Sequence, residues 1–132
     1  MDKLEAIRCE ELAPPLGYSH GIVANPGRLL FVAGQIGWDG TGRIVASDLG
    51  RQFEQALENF MTVVHKAGGS AEGLSQMTIY VVDKHDYLAH TKEIGLAWRR
   101  LVGRRFPAMA LVEVKGLLEE GAKVELQGVV SL

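Results

Sequence analysis

Apolar residues along the chain follow two spacings in turn, and each change of spacing marks an element. Between residues 47 and 67 they fall at Leu49, Phe53, Ala56, Leu57, Phe60, Met61, Val63 and Val64, the rhythm of an amphipathic helix. Ser47 or Asp48 can cap its start, and Gly68-Gly69 supplies the stop. A second helix is predicted from Tyr87 to Val102, burying Leu88, Thr91, Ile94-Gly95, Trp98 and Leu101-Val102, with Gly103 ending it. Strand patterning governs the remainder. "RLLFVAGQIG" is apolar on both faces through Leu30-Phe31-Val32 and is expected at the centre of a sheet. "LSQMTIYVV" puts Met77, Ile79 and Val81 on one face. "FPAMALVEV" is entered through Phe106-Pro107. One of its faces carries Met109, Leu111 and Glu113, and the other, read as plain core, carries Ala110, Val112 and Val114. "KVELQGVV" is the last strand. Shorter strands are expected in "GIVANPG", before a turn at Asn25-Pro26-Gly27, in Arg43-Ile44-Val45, and in "LEAIRC".

This order predicts an α+β fold, a mixed sheet with two helices on one face. The second face would present Met109, Leu111 and Glu113 beside Lys123, Glu125 and Gln127 from the last strand. A half-apolar face of that size would be an exposed patch on a monomer. It is therefore expected to be buried between subunits in a closed ring.

The length of 132 residues fits one domain, 1–132, with a real core. A net charge of −2 gives no reason to expect nucleic acid as a partner. Arg99-Arg100 and Arg104-Arg105 read as the solvated, dipole-favoured end of a helix. The single cysteine, Cys9, excludes an intramolecular disulfide and is compatible with a reducing compartment. No secretory leader or run of roughly 18 apolar residues is evident, so no membrane association and a cytoplasmic location are expected.

Several chemistries find no support in the residues. "GWDGTG" opens no helix after a long strand, so it reads as a hairpin turn and not as a phosphate loop. His85 and His90 stand five apart and do not share a helix face as a zinc pair would; no metal is expected. Ser19 and His20 are adjacent, without the convergence that a nucleophilic dyad needs. Polar residues in glycine-rich or strand contexts remain: Tyr18, His20, Gln35, Glu113 and Glu125. A carboxylate at Glu125, between Val124 and Leu126, can serve as a general base or hold a water if its face is buried between subunits.

The segments "GYSHGIVANPGRLLFVAGQIG", "QFEQALENFMTVVHKAGGSAEGLSQMTIYVVDKHDY", "FPAMALVEVKGL" and "KVELQGVV" resemble, in order and spacing, the RidA (YjgF/YER057c/UK114) family. The resemblance implies a chorismate-mutase-like subunit and a homotrimer whose sheets form a central barrel, with clefts between subunits. It implies hydrolysis of reactive enamines and imines to a keto acid and ammonia, without a cofactor. It assigns to the cleft Tyr18, Gly34-Gln35 and a water-holding Glu125. It also requires an arginine two positions after Pro107, to clamp the substrate carboxylate. That position is Met109. The family's cysteine is replaced by Leu111, and Thr91 is the nearest match for its helix asparagine. A charge-assisted bond to a carboxylate contributes roughly 1.5–3 kcal/mol, and Met supplies neither charge nor donor. Adaptable apolar contact is what it offers instead.

The sequence therefore supports a hydrolase of the imine/enamine deaminase type. Its catalytic residues are Glu125 and Tyr18. His20, Gly34, Gln35, Thr91, Met109, Leu111 and Glu113 bind a small-molecule ligand at a subunit interface. The alternative is a non-catalytic, metabolite-binding or regulatory trimer. An RNA-cleaving activity is disfavoured by the acidic balance and the lack of a basic stripe with aromatics.

Overall fold

The computed structural model describes residues 4–24 and 26–132. Asn25 of the expected Asn25-Pro26-Gly27 turn lies outside them, as do residues 1–3. The elements are β1 (Glu5–Ile7), β2 (Gly21–Val23), β3 (Leu29–Ile36), α1 (Leu49–Lys66), β4 (Leu74–Val81), α2 (Lys84–Ala89), α3 (Thr91–Leu101), β5 (Ala108–Glu113) and β6 (Val124–Ser131). A 3₁₀ turn, Ala71–Gly73, leads into β4.

Helix α1 forms where its periodicity placed it. Asp48 caps it by accepting the Arg51 backbone N–H at 3.0 Å, and Gly68 ends it at φ 85°. Its apolar stripe, including Phe53, Leu57 and Phe60, is fully buried. Opposite lie Met77, Ile79 and Val81 of β4 and Val124, Leu126 and Val130 of β6.

The expected second helix is two. His90 turns its backbone N–H to Tyr87 instead of Asp86, and its ring Nδ1 takes the Asp86 carbonyl at 2.8 Å. The acceptor that would extend α2 is thus used by a side chain, and α3 starts afresh. The Arg43-Ile44-Val45 strand reduces to a single bridge between Trp38 and Ile44.

Strands β3, β6, β4 and β5 form one sheet in that order, antiparallel except for the β4–β5 pair; β1 and β2 make a separate ribbon. The mixed α+β architecture stands. The barrel does not: this is an open four-stranded sheet with β3 and β5 at its edges, too few strands to close, and no chorismate-mutase-like arrangement is present. Strand β3, expected at the centre, is an edge, and Phe31 on it is 73% exposed.

The faces of β5 are the reverse of the expectation. Register pairs Met77 with Met109 and Ile79 with Leu111, so these residues share the helix-covered face. Ala110 and Val112 pair with Thr78 and Tyr80 on the uncovered face, where Glu125 and Gln127 also lie. There the Tyr80 hydroxyl donates to Gln127 Oε1 at 3.0 Å. The neighbouring strand decides which of two alternating faces meets the helices.

Candidate active site

The loop before β2 is stitched to the start of β5. Ser19 donates its backbone N–H to the Pro107 carbonyl (3.0 Å) and its hydroxyl to the Phe106 carbonyl (2.7 Å), and it bridges Ala108 in parallel. Gly17, at φ 76°, makes the turn that delivers Tyr18 to this junction. From the other side, the Trp98 indole N–H donates to the Arg105 carbonyl (3.0 Å), and its ring stacks on Phe106 with centroids 5.7 Å apart.

Between loop, β5 and α3 lies a cleft of about 390 Å³, lined among others by Tyr18, Tyr87, Thr91, Trp98, Met109 and Leu111. Its walls are mainly apolar, and its polar groups are hydroxyls. Tyr87 sits edge-on to Phe53, and burial pushes its phenol pKa up. Leu16, 86% exposed, stands at the mouth.

Four of the residues expected from sequence meet here: Tyr18, Thr91, Met109 and Leu111. His20 stands behind Tyr18, with ring centroids 6.0 Å apart, outside the cleft lining. Its Nε2 lies 2.9 Å from the Ala13 carbonyl; a carbonyl only accepts, so Nε2 carries a hydrogen. Its Nδ1 is buried without a partner among the described residues. Glu113 accepts the Lys84 backbone N–H at 2.9 Å, which ties the end of β5 to the start of α2.

The other expected residues lie apart from the cleft. Glu125 is half-buried on the uncovered sheet face, in register with Tyr80. Gly34 occupies the irregular part of β3, where the register with β6 shifts between Val32 and Gln35. A Cβ on Gly34 would collide with the Glu125 carboxylate, so the glycine makes room for it. The Gln35 amide donates to the Ala33 carbonyl (3.1 Å), and the residue lines a different groove with Trp38 and Asn59. Among the described residues no three His, Cys, Asp or Glu side chains gather closely enough to hold a metal ion.

Sequence reasoning missed Tyr87 and Phe106 as cleft residues; Trp98, read as core, is buried in the core and also lines the cleft. No local pattern in the sequence marked Tyr87, which lies in α2 before the break at His90.

Residues 9–132 match the family model described as Endoribonuclease L-PSP. A RutC family protein of Pyrococcus horikoshii is 37% identical over 115 residues, covering 86% of either chain. A Salmonella typhimurium protein named 2-iminobutanoate/2-iminopropanoate deaminase is 30% identical over 103 residues, covering 78% of this chain and 79% of its own. Among solved structures, a Rid-family protein of unknown function from Yersinia pestis superposes with a TM-score of 0.87 at 27% identity, covering 99% of this chain and 100% of its own. With nearly the whole chain matched in sequence and in fold, the protein belongs to the Endoribonuclease L-PSP family, the RidA or YjgF/YER057c/UK114 family.

Proposed function

We propose that the protein is a small-molecule hydrolase of the imine/enamine deaminase type. It acts as a homotrimer in the cytoplasm, in clefts formed between subunits. The observation that carries this reading is the division of the machinery. The apolar cleft with its hydroxyls lies at the β5 edge under the helices, whereas Glu125 and Gly34 lie on the uncovered face. One chain cannot bring them together. Two copies can, if the β5 edge of one meets the open face of the next. The name of the Salmonella relative supports the reaction class.

In this reading the substrate's apolar part rests on Met109, Leu111 and Trp98. Glu125 of the adjacent copy holds the attacking water and accepts its proton as the water adds to the C=N carbon. Tyr18 and Tyr87 hydrogen-bond the nitrogen, which receives that proton; the carbinolamine then passes its hydroxyl proton to the nitrogen by way of Glu125 as the C–N bond breaks, giving a carbonyl product and ammonia. Without an arginine at 109, the family's usual carboxylate clamp is absent from this cleft, and substrates anchored only there are expected to be poor.

Ammonia release should be measured from 2-iminobutanoate, 2-iminopropanoate and imines lacking a carboxylate. Turnover of at least one class above buffer is expected, and it should fall by about a hundredfold in Glu125→Gln, the usual scale for a lost general base. No turnover on any substrate would sink the proposal. A second reading, a metabolite-binding trimer without catalysis, rests on Met109 itself. Met109→Arg separates the two: gain of 2-iminobutanoate hydrolysis means the remaining machinery is intact, and no gain favours the binding module.

A further inference from the structure

Behind Tyr18 lies a second chamber, of about 430 Å³, adjoining the apolar cleft. Tyr18 and Phe106 line both cavities, which therefore meet at these two residues. Arg8, Arg104 and Arg105, all exposed, line this chamber together with His20; Glu72 is the one carboxylate among its lining residues. None of the three arginines has a carboxylate within 4.0 Å among the described residues, whereas Arg100 on α3 binds both Glu54 and Glu58.

The basic residues arrive from three separate stretches of chain. Gly103, at φ 111°, ends α3 and swings Arg104 and Arg105 off the helix axis. The Trp98–Arg105 hydrogen bond and the Ser19 contacts to 106–108 then fix that segment against the Tyr18–His20 loop. His20 borders the same chamber, but with its hydrogen on Nε2 the buried, unpartnered Nδ1 is an acceptor, so the arginines supply the positive charge. Unpaired positive charge around a concave space attracts an oxyanion, and arginine forks match a carboxylate best.

We propose that this chamber anchors the acid group of an elongated ligand whose apolar body occupies the neighbouring cleft. The ligand class is an aryl- or alkyl-substituted carboxylate, longer than the small iminoacids that an arginine at 109 would hold. The anchor has moved from the strand at Met109 to the loop junction at Arg104-Arg105 and Arg8. The proposal rests on the cleft being the ligand site described above, but it concerns binding and not turnover.

Isothermal titration calorimetry of the full chain tests it, with a series of phenylalkanoates of increasing chain length, their primary amides, inorganic phosphate and a short oligouridylate. One chain length should bind best, about tenfold more tightly than its amide, as a charge-assisted contact requires. The doubly substituted Arg104→Gln/Arg105→Gln variant should weaken the acid by about tenfold and leave the amide unchanged. If that variant folds poorly, Arg8→Gln supplies the same comparison. Competition by phosphate would support the chamber as the oxyanion site. Equal binding of acid and amide, no binding by any acid, or preferential saturation of these arginines by the oligouridylate would overturn it. Acids that bind while no imine is hydrolysed would leave this inference standing and remove the deaminase. Imine turnover that no acid inhibits would do the reverse.

Discussion

Two glycines show how a single hydrogen atom in place of a side chain shapes the sheet. Gly34 and Gly128 both lie where a Cβ would meet a neighbour, but the neighbours differ. At Gly34 it is the tip of Glu125, a flexible side chain that can swing away. At Gly128 it is the Gln76 backbone carbonyl, with Phe60 close behind, and neither can give. Gly34→Ala should therefore lower stability by about 1 kcal/mol or less, while Gly128→Ala costs about 3 kcal/mol or more from overpacking. Urea denaturation of both variants checks this. If Glu125 holds the attacking water, Gly34→Ala should also reduce ammonia release at least about tenfold despite its mild effect on folding, because misplacing a reacting group is costly. Equal losses of stability in the two variants would contradict this account of the glycines.

At the scale of elements, the junction of α2 and α3 is pinned to the start of α1. His90 Nε2 lies 3.0 Å from Asp48 Oδ1, and Nδ1 faces the Asp86 carbonyl at 2.8 Å and its carboxylate at 3.2 Å. Both ring nitrogens face acceptors, an arrangement that suits the imidazolium. The Asp86 carbonyl first, and then the Asp48 carboxylate, raise the His90 pKa. The Arg51 backbone N–H first, and then His90, lower that of Asp48. A raised histidine contributes stability that is complete below its unfolded pKa and lost as pH rises through the folded value. A depressed aspartate contributes stability that is lost as pH falls through its folded value. The clasp is thus strongest in mildly acidic solution, above the carboxylate range and below the His90 transition. Melting temperature should decline as pH rises from about 6 to 8 in the parent, and that slope should flatten in His90→Gln. Asp48→Ala, which also removes the α1 cap, should cost about 0.5–2 kcal/mol. Local patterning made α1 and the buried face of β4 legible, because each follows its own period. It was silent on the break at His90, which depends on a side chain competing for a backbone carbonyl. It showed that β5 has two faces but not which one meets the helices, since that follows from pairing with β4.

For the whole molecule, the uncovered sheet face is an apolar surface without a covering layer among the described residues. Phe31 projects from it, and Val112, Tyr80 and Glu125 extend it toward the opposite edge. If copies associate through this face, Phe31→Glu should shift the chain from trimer to monomer in analytical ultracentrifugation with its circular dichroism preserved. An unchanged mass would remove the face as an interface. Of the candidate site, the sequence made legible residues from three elements through the family resemblance: Tyr18 of the loop before β2, Thr91 of α3, and Met109 and Leu111 of β5. Arg8, His20 and Arg104-Arg105 are far apart along the chain, and only tertiary structure brings them together. No helix among the described residues is long and apolar enough to cross a membrane.

The shifted register near Gly34 has a consequence for the life of the newly made chain. An edge strand as apolar as β3 is a template on which stray strands can add and propagate. The irregularity between Val32 and Gln35 breaks the ladder, so an incoming strand finds a regular row of partners only along Leu29–Val32. The same residue that leaves room for a carboxylate thus shortens the runway for aggregation. Restoring a regular strand there would expose a longer edge to any stray strand.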